Sequence, residues 1–331
     1  MLKAESQVRK KIDKEKRTGS LGERLGLLVA LILLVVIFGY LSPNFLTLTN
    51  ISDTLLSSSL IGIVAAGMTI VIISGGFDLS VGSNMALTGV IVGSMLHNGL
   101  PQGLSIIAGL CVGVVVGLVN GFSVAKLKIN PLITTLATMT IVRGLAYIYS
   151  NGTSYGIYGT KPVFPNFGFL GVGHLFYIPM PVVLMIVVSV VIYIVLNHTI
   201  FGREVYALGG NQEAARVCGI QVEKMQIIIY LLTGILAAFA GIVLASRLSA
   251  GIPSAGNGYE LNAIAAVVLG GASLAGGKGR VEDTILAVLV LGVLGNGFVL
   301  MGLSSFLQDV ARGAVLLLAV GIDQMRQRRA V

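Results

Sequence analysis

The residues that could do chemistry in this chain are few and scattered. Asp78 and Glu260 fall beside long apolar runs, and His97, His174, His198, Cys111 and Cys218 each stand alone. None has a second ligand at metal-binding spacing, and separate segments keep the cysteines apart, so neither a metal centre nor a disulfide is expected. No nucleophile or paired-carboxylate constellation stands out. The stretch GGASLAGGKGR, 270–280, resembles a phosphate loop but fails the pattern G-x-x-x-x-G-K-[ST] twice: Ala272 stands where the first glycine belongs, and Gly279 follows Lys278 where a hydroxyl is required. The reading is therefore a chain with no catalytic residues, cofactor or metal, which does not itself hydrolyse ATP.

Two stretches could do mechanical work instead. SGGFDLSVGS, 74–83, interrupts two apolar runs; Gly75 and Gly76 permit a sharp break, and Asp78 or Ser80 can cap the helix that follows. A hinge or cap is the leading reading, with direct ligand contact as the alternative. EAARVCG, 213–219, reads as a short helix closed by Gly219, in which Ala214 and Ala215 permit close approach and Glu213 can pair with a basic partner. An ordinary capped surface helix fits the same residues. Polar groups inside apolar runs, Asn84, Thr135, Thr138, Asn262, Asn296 and Gln308, are candidates to line a pathway, though each serves equally well as a hydrogen-bonding link between helices. Glu260, beside Tyr259 at the extracytoplasmic start of a span, is a candidate for a gate or for contact with an extracytoplasmic partner protein. Arg143, Arg247, Asp309 and Arg312 also fall near or within spans, where a partner is expected; Asp309 and Arg312 are three residues apart and can pair.

The elements that must position these residues follow from composition. Of 331 residues 55% are hydrophobic and only 11% charged, with a mean hydropathy of +0.92, against about 25% charged in soluble domains. Hydrocarbon about 30 Å thick takes roughly 20 apolar residues per helix, and runs of that length predict an all-α, polytopic transmembrane helical bundle. About ten spans are expected, near 25–41, 54–74, 80–97, 104–125, 131–150, 178–197, 224–246, 259–275, 283–302 and 305–322. The third and eighth, rich in Gly, Ser and Asn, read as partial or broken. Of the 22 Lys and Arg, most fall in the tail from Lys3 to Arg24, at Lys126, Lys128, Arg203, Arg216, Lys224, Lys278 and Arg280, and after residue 325. That asymmetry puts both termini in the cytoplasm. The net charge of +8 reads as topology and contact with anionic lipid rather than with nucleic acid.

The expected organisation is a basic cytoplasmic tail (1–24), a transmembrane domain (25–323) and a second basic tail (324–331). The domain includes an extracytoplasmic loop at 151–177 and a cytoplasmic loop at 198–223. Residues 38–42, FGYLS, lack a small-x-small cleavage pattern, so the first apolar run reads as an uncleaved span. Aligning GGFDLSVG, 75–82, with GGASLAGG, 270–277, matches Gly75 with Gly270, Gly76 with Gly271, Leu79 with Leu274 and Gly82 with Gly277. This echo is either a parallel internal repeat or chance in a Gly-rich chain.

Five stretches in one order carry a family resemblance: LSPNFLTLTN (41–50), GMTIVIISGGFDLSVGS (67–83), FGREVYALGGNQEAARVCGI (201–220), YLLTGILAAFAGIVLASRLSAG (230–251) and GYELNAIAAVVLGGASLAGGKGRVEDT (258–284). The chain resembles the permease subunits of ribose-type ABC sugar importers, relatives of the branched-chain amino-acid permeases. The resemblance implies a pathway built by two permease copies in a bacterial plasma membrane. It also implies a cytoplasmic ABC ATPase subunit and an extracytoplasmic sugar-binding protein as partners. Residues 198–223 then form a coupling loop, with Glu213, Ala214, Ala215 and Gly219 matching the family's ATPase-contacting motif. An ion-coupled secondary transporter is the alternative, disfavoured by the shortage of acids within the spans. A membrane anchor or receptor would not need so many spans.

Overall fold

The computed structural model describes residues 24–157 and 165–304 without a break, together with Gly22 and separate positions between 306 and 325. The helices are α1 (Arg24–Leu41), α2 (Leu48–Ile73), α3 (Val81–His97), α4 (Gln102–Ala125), α5 (Pro131–Ser150), α6 (Pro165–Val172), α7 (Met180–His198), α8 (Ile200–Gly210), α9 (Gln212–Val217), α10 (Val222–Leu248), α11 (Tyr259–Leu269) and α12 (Val281–Leu300). Seven of them, α1, α2, α4, α5, α7, α10 and α12, are long and apolar enough to cross a membrane. The tail 1–21 and part of the tenth expected span, Asp309 and Arg312 included, lie outside the described residues.

The third and eighth expected spans differ from the rest. α3 has 17 residues, nearly all buried, and α11 has 11; at 1.5 Å per residue α11 is about 16 Å long, half of what a crossing needs. The eighth span thus ends at Leu269, not 275. Its missing half is replaced by irregular chain, residues 250–258, a two-residue strand followed by turns, which lies along α3. Gly251 lies on the backbone of Gly89 and Val90, and Gly256 lies on Gly82 and Met85. Irregular backbone is tolerated at such depth when protein covers it, and Arg143 supplies the cover. Its Nη1 donates to the carbonyls of Pro253 (2.8 Å) and Ala255 (2.7 Å).

Sequence chemistry sets the helix ends. Asn130 accepts from the Leu132 amide ahead of Pro131 in the first turn of α5, and Thr199 accepts from the Gly202 amide at the start of α8. α2 and α10 form the centre: Leu60, Ile63, Met68 and Ile72 pack with Ala240, Val243, Val267 and Val288 in the main core. Lipid gives apolar helices no reason to associate through hydrophobicity alone, so close backbone approach matters. The face of α4 carries Gly113, Gly117 and Gly121 at four-residue spacing. A Cβ at Gly117 would stand 2.6 Å from the Tyr230 carbonyl and one at Gly121 2.8 Å from the Ile227 Cα, while Gly113 abuts Gly234. α1 is peripheral and held at both ends: Arg24 pairs with Asp283 (2.7 Å) and Glu282 (3.3 Å), and Phe38 packs on Gly297.

The expected loop 151–177 contains α6 and two-residue strands. β1 (Tyr155–Gly156) pairs antiparallel with β4 (Ala250–Gly251), and β2 (His174–Leu175) with β3 (Ile178–Pro179).

Candidate functional site

The expected coupling loop 198–223 is two helices. α9 begins at Asn211, whose side chain accepts from the Ala214 amide (2.9 Å), and ends where Gly219 takes φ +87° and the Ile220 amide reaches back to the Ala215 carbonyl (3.1 Å). Glu213 pairs with Arg216 of the same helix (3.0 Å). Glu213, Ala214 and Gly219 are exposed, whereas Ala215 turns inward and is buried, which corrects its assignment to the docking face. Val217 and Cys218 take its place on the open side.

α8 ties this small helix to the bundle. Gly209 sits so close to the Ile73 carbonyl and the Gly277 amide that no Cβ fits, and the Gly277 amide donates to the Ile73 carbonyl (2.8 Å). The Tyr206 hydroxyl donates to the Gly279 carbonyl (2.9 Å). Burial and the nearby Glu282 raise the Tyr206 phenol above its ordinary pKa, so it remains a donor. The end of α2, the end of α8 and the 270–280 loop therefore meet at one point. Sequence reasoning missed both residues; the only signal was the pair Gly209-Gly210 in a short helix.

SGGFDLSVGS forms a buried break. Gly75 takes φ +81°, its amide donating to the Ile72 carbonyl and that of Gly76 to the Val71 carbonyl (2.9 Å each), a Schellman end to α2. A Cβ on Gly76 would meet the Tyr230 hydroxyl at 2.9 Å, and that hydroxyl donates to the Phe77 carbonyl (3.0 Å). Asp78 is buried, and its Oδ1 accepts from the Ser80 amide (2.8 Å) and the Ser80 hydroxyl (2.6 Å); Asn120 of α4 donates to the same hydroxyl (2.8 Å). Ser80 holds the N-cap position of α3 but makes no side-chain cap. Its hydroxyl is committed to Asp78, so of the two expected caps only Asp78 meets a backbone donor at the start of α3, the Ser80 amide. Tyr230 and Asn120 are the members of this network that the sequence did not flag.

The second break repeats the first, one residue away from the expected alignment. Gly271, at φ +83°, donates to the Val268 carbonyl (2.9 Å) and the Ala272 amide to the Val267 carbonyl (3.1 Å), whereas Gly270 is right-handed. Backbone geometry equates Gly75 with Gly271, because left-handed φ belongs to the residue after the helix cap. The match of Gly75 with Gly270 was a composition effect.

The polar candidates separate. Asn84 donates to the Gly234 carbonyl (2.9 Å), Thr135 to the Pro131 carbonyl (2.9 Å), and Thr138 is buried in α5. Asn262, Asn296 and Gln308 instead line one cavity, between α2, α11 and α12, at the end of the bundle away from α9. Glu260 is not at an open entrance: it is buried against Gly82, with Oε1 accepting from the Gly258 amide (3.2 Å). Arg247 reaches Ser57 (3.1 Å). Among the described residues no cluster of three His, Cys, Asp or Glu could hold a metal.

Seven helices long and apolar enough to cross a membrane, with an exposed short helix at one end and a mainly apolar cavity carrying a few polar groups at the other, define a multi-pass helical membrane protein. Residues 50–320 match the family model described as branched-chain amino acid transport system / permease component. The chain is 45% identical over 300 residues to the ribose import permease protein RbsC of Escherichia coli K12, covering 91% of this chain and 93% of that protein. It is 44% identical to RbsC of Bacillus subtilis 168 (92% and 94% covered), and 44% identical to the L-arabinose transport system permease protein AraH of E. coli K12 (94% and 93% covered). No solved structure matches. The chain belongs to this permease family: it is a transport subunit of the ABC importer class, not an enzyme.

Proposed function

We propose that the chain forms the translocation pathway of an ABC importer for a monosaccharide of the ribose and arabinose kind. Two copies, in contact with membrane lipid, work with a cytoplasmic ATPase subunit that hydrolyses the ATP and an extracytoplasmic binding protein that delivers the sugar. α8 and α9 then face the cytoplasm, in keeping with Arg203, Arg216 and Lys224 around them. The observation that carries this reading is the lever. α9 offers Glu213, Ala214 and Gly219 to a partner, while α8 is seated by backbone contact on the ends of both breaks. A rigid exposed helix joined to the bundle through Ile73 and Gly277 can pass a partner's motion to α2 and α12. The 74–80 break holds the fixed bend at which α3 meets α2, and Asn262, Asn296 and Gln308 belong to the pathway. Asn84, Thr135, Thr138 and Glu260 hold its walls together.

The test is reconstitution with the ATPase and binding protein in liposomes. Gly219→Pro and Glu213→Arg should each lower sugar uptake at least about tenfold. Uptake equal to the unmodified protein's in both variants defeats the coupling assignment. Uptake by the permease alone, driven by a proton or sodium gradient, favours the ion-coupled alternative.

A further inference from the structure

The cavity between α2, α11 and α12 measures ≈ 360 Å³, near the lower end of the roughly 300–1,000 Å³ of small-molecule sites. Its polar lining comes from four segments: Asp53, Thr54, Ser57 and Ser58 of α2, Asn262 of α11, Asn296 of α12, and Gln308 beyond it. These groups hold unspent hydrogen-bonding capacity. The Ser58 hydroxyl is buried and has no partner among the described residues, an unfavourable state unless something else satisfies it.

Asn262 makes no side-chain hydrogen bond to another described residue. Gln308 donates to the Leu303 carbonyl (3.1 Å), and its amide oxygen accepts from no described residue. Asn296 is held face to face with Asn50 by reciprocal bonds of 3.0 and 2.8 Å. Asn50 spends its other N–H on the Phe45 carbonyl, but Asn296 keeps one to give. The rest of the lining is apolar, including Ile61, Leu291 and Phe298, whose ring is fixed edge-on against Phe38 (centroids 6.2 Å apart).

The chemistry of that lining selects its ligand. Its buried Ser58 and half-buried Asn262, Asn296 and Gln308 are all neutral and line one space, which suits a molecule with many hydroxyls, each able to give and accept. The carboxylate present, Asp53, is exposed, and Arg247 outside is committed to Ser57; neither provides the buried counter-charge an ion would need. Without an ion pair, affinity is low, as a passage site requires if its occupant is to leave.

We infer that this cavity is a transient site for a neutral polyol of monosaccharide size, in which Ser58 and Asn262 bind its hydroxyls and Phe298 covers an apolar face. The inference rests on the transport reading above and gives the pathway its contact point. It also explains why Gly292 lacks a side chain. A Cβ there would overlap the Ser58 hydroxyl and close the space.

Two measurements test it. In liposomes holding the complete transporter, Ala265→Leu fills the cavity and Asn262→Leu removes its amide. Each should cut pentose uptake at least about tenfold, while Val190→Leu, at an exposed position of α7 remote from the cavity lining, leaves uptake unchanged. Uptake within about twofold of the unmodified protein in both cavity variants overturns the site.

The second measurement is saturation-transfer NMR on the permease alone in nanodiscs, with D-ribose, L-arabinose or L-leucine at about 10 mM, suited to a millimolar Kd. A pentose signal lost in Ser58→Ala and Asn262→Ala supports the site, and the small size of these changes covers the case in which the leucine variants do not assemble. A signal from leucine alone, or a pentose signal unchanged in both variants, overturns it. Absence of all sugar uptake by the unmodified transporter defeats the transport reading, while NMR still decides whether the cavity binds polyols.

Discussion

The breaks at 74–80 and 270–280 close their preceding helices with the same Schellman geometry and are then built in opposite ways. The first is filled by side chains: Asp78, Ser80, Asn120 and Tyr230 form a buried network reaching α4 and α10. The second is held by backbone. Gly276, Gly277 and Gly279 all have positive φ, and Gly209 and Tyr206 of α8 grip the loop at Gly277 and Gly279. A break locked by side chains is fixed at assembly; one gripped from α8 can move with α8. The difference separates a residue needed to build the bundle from residues needed to drive it.

Asp78→Ala is the strongest way to break that contrast. It strands the Ser80 amide and hydroxyl in a buried site, and the loss should destabilise the protein by about 2–3 kcal/mol. The expected outcome is a thermal-aggregation midpoint several degrees lower in detergent, with the ranking of sugars among surviving transporters unchanged. Asp78→Asn retains an acceptor and should recover most of the midpoint. If Asp78→Ala altered sugar ranking at constant midpoint, the first break would be a ligand site instead.

Gly209→Ala attacks the other side of the comparison. The added methyl meets backbone from two elements, Ile73 and Gly277, and cannot be relieved by turning a side chain. α8 must shift off its seat, so uptake should fall about tenfold or more while the midpoint changes less than in Asp78→Ala. Equal losses of midpoint would mean that both breaks are simply structural.

Much of this was legible in sequence, for physical reasons. Spans are dictated by the thickness of hydrocarbon, so α4, α5 and α7 lie within a few residues of expectation, and Gly219 announced the end of α9 because left-handed φ favours glycine. The weak third and eighth spans were legible as weak, since Gly, Ser and Asn dilute them. What pairs across the fold was not. Asn120 and Asn84 are both lone asparagines in apolar runs, yet one completes the Asp78 network and the other bonds the Gly234 carbonyl. Spacing along the chain cannot separate them. Ala215 was misassigned because six residues of helix have an inner and an outer face that only packing on α8 and α10 decides. The repeat was misaligned because identity counted glycines, whereas the backbone distinguishes which glycine is left-handed.

Tyr206→Phe gives the smallest and sharpest test. It removes one hydrogen bond from α8 to the second break and leaves the ring in place, a change of about 1 kcal/mol. If α8 drives that break, this loss should lower uptake up to about fivefold without moving the midpoint. Because burial holds the phenol above its ordinary pKa, the neutral donor persists as pH rises. The ratio of Tyr206→Phe uptake to unmodified uptake should therefore stay flat from about pH 6 to 9. A ratio approaching one towards alkaline pH would mean that the hydroxyl ionises and its bond is lost there. Unchanged uptake at every pH would leave Gly209 as the working contact between α8 and the break, and would confine the drive to backbone packing.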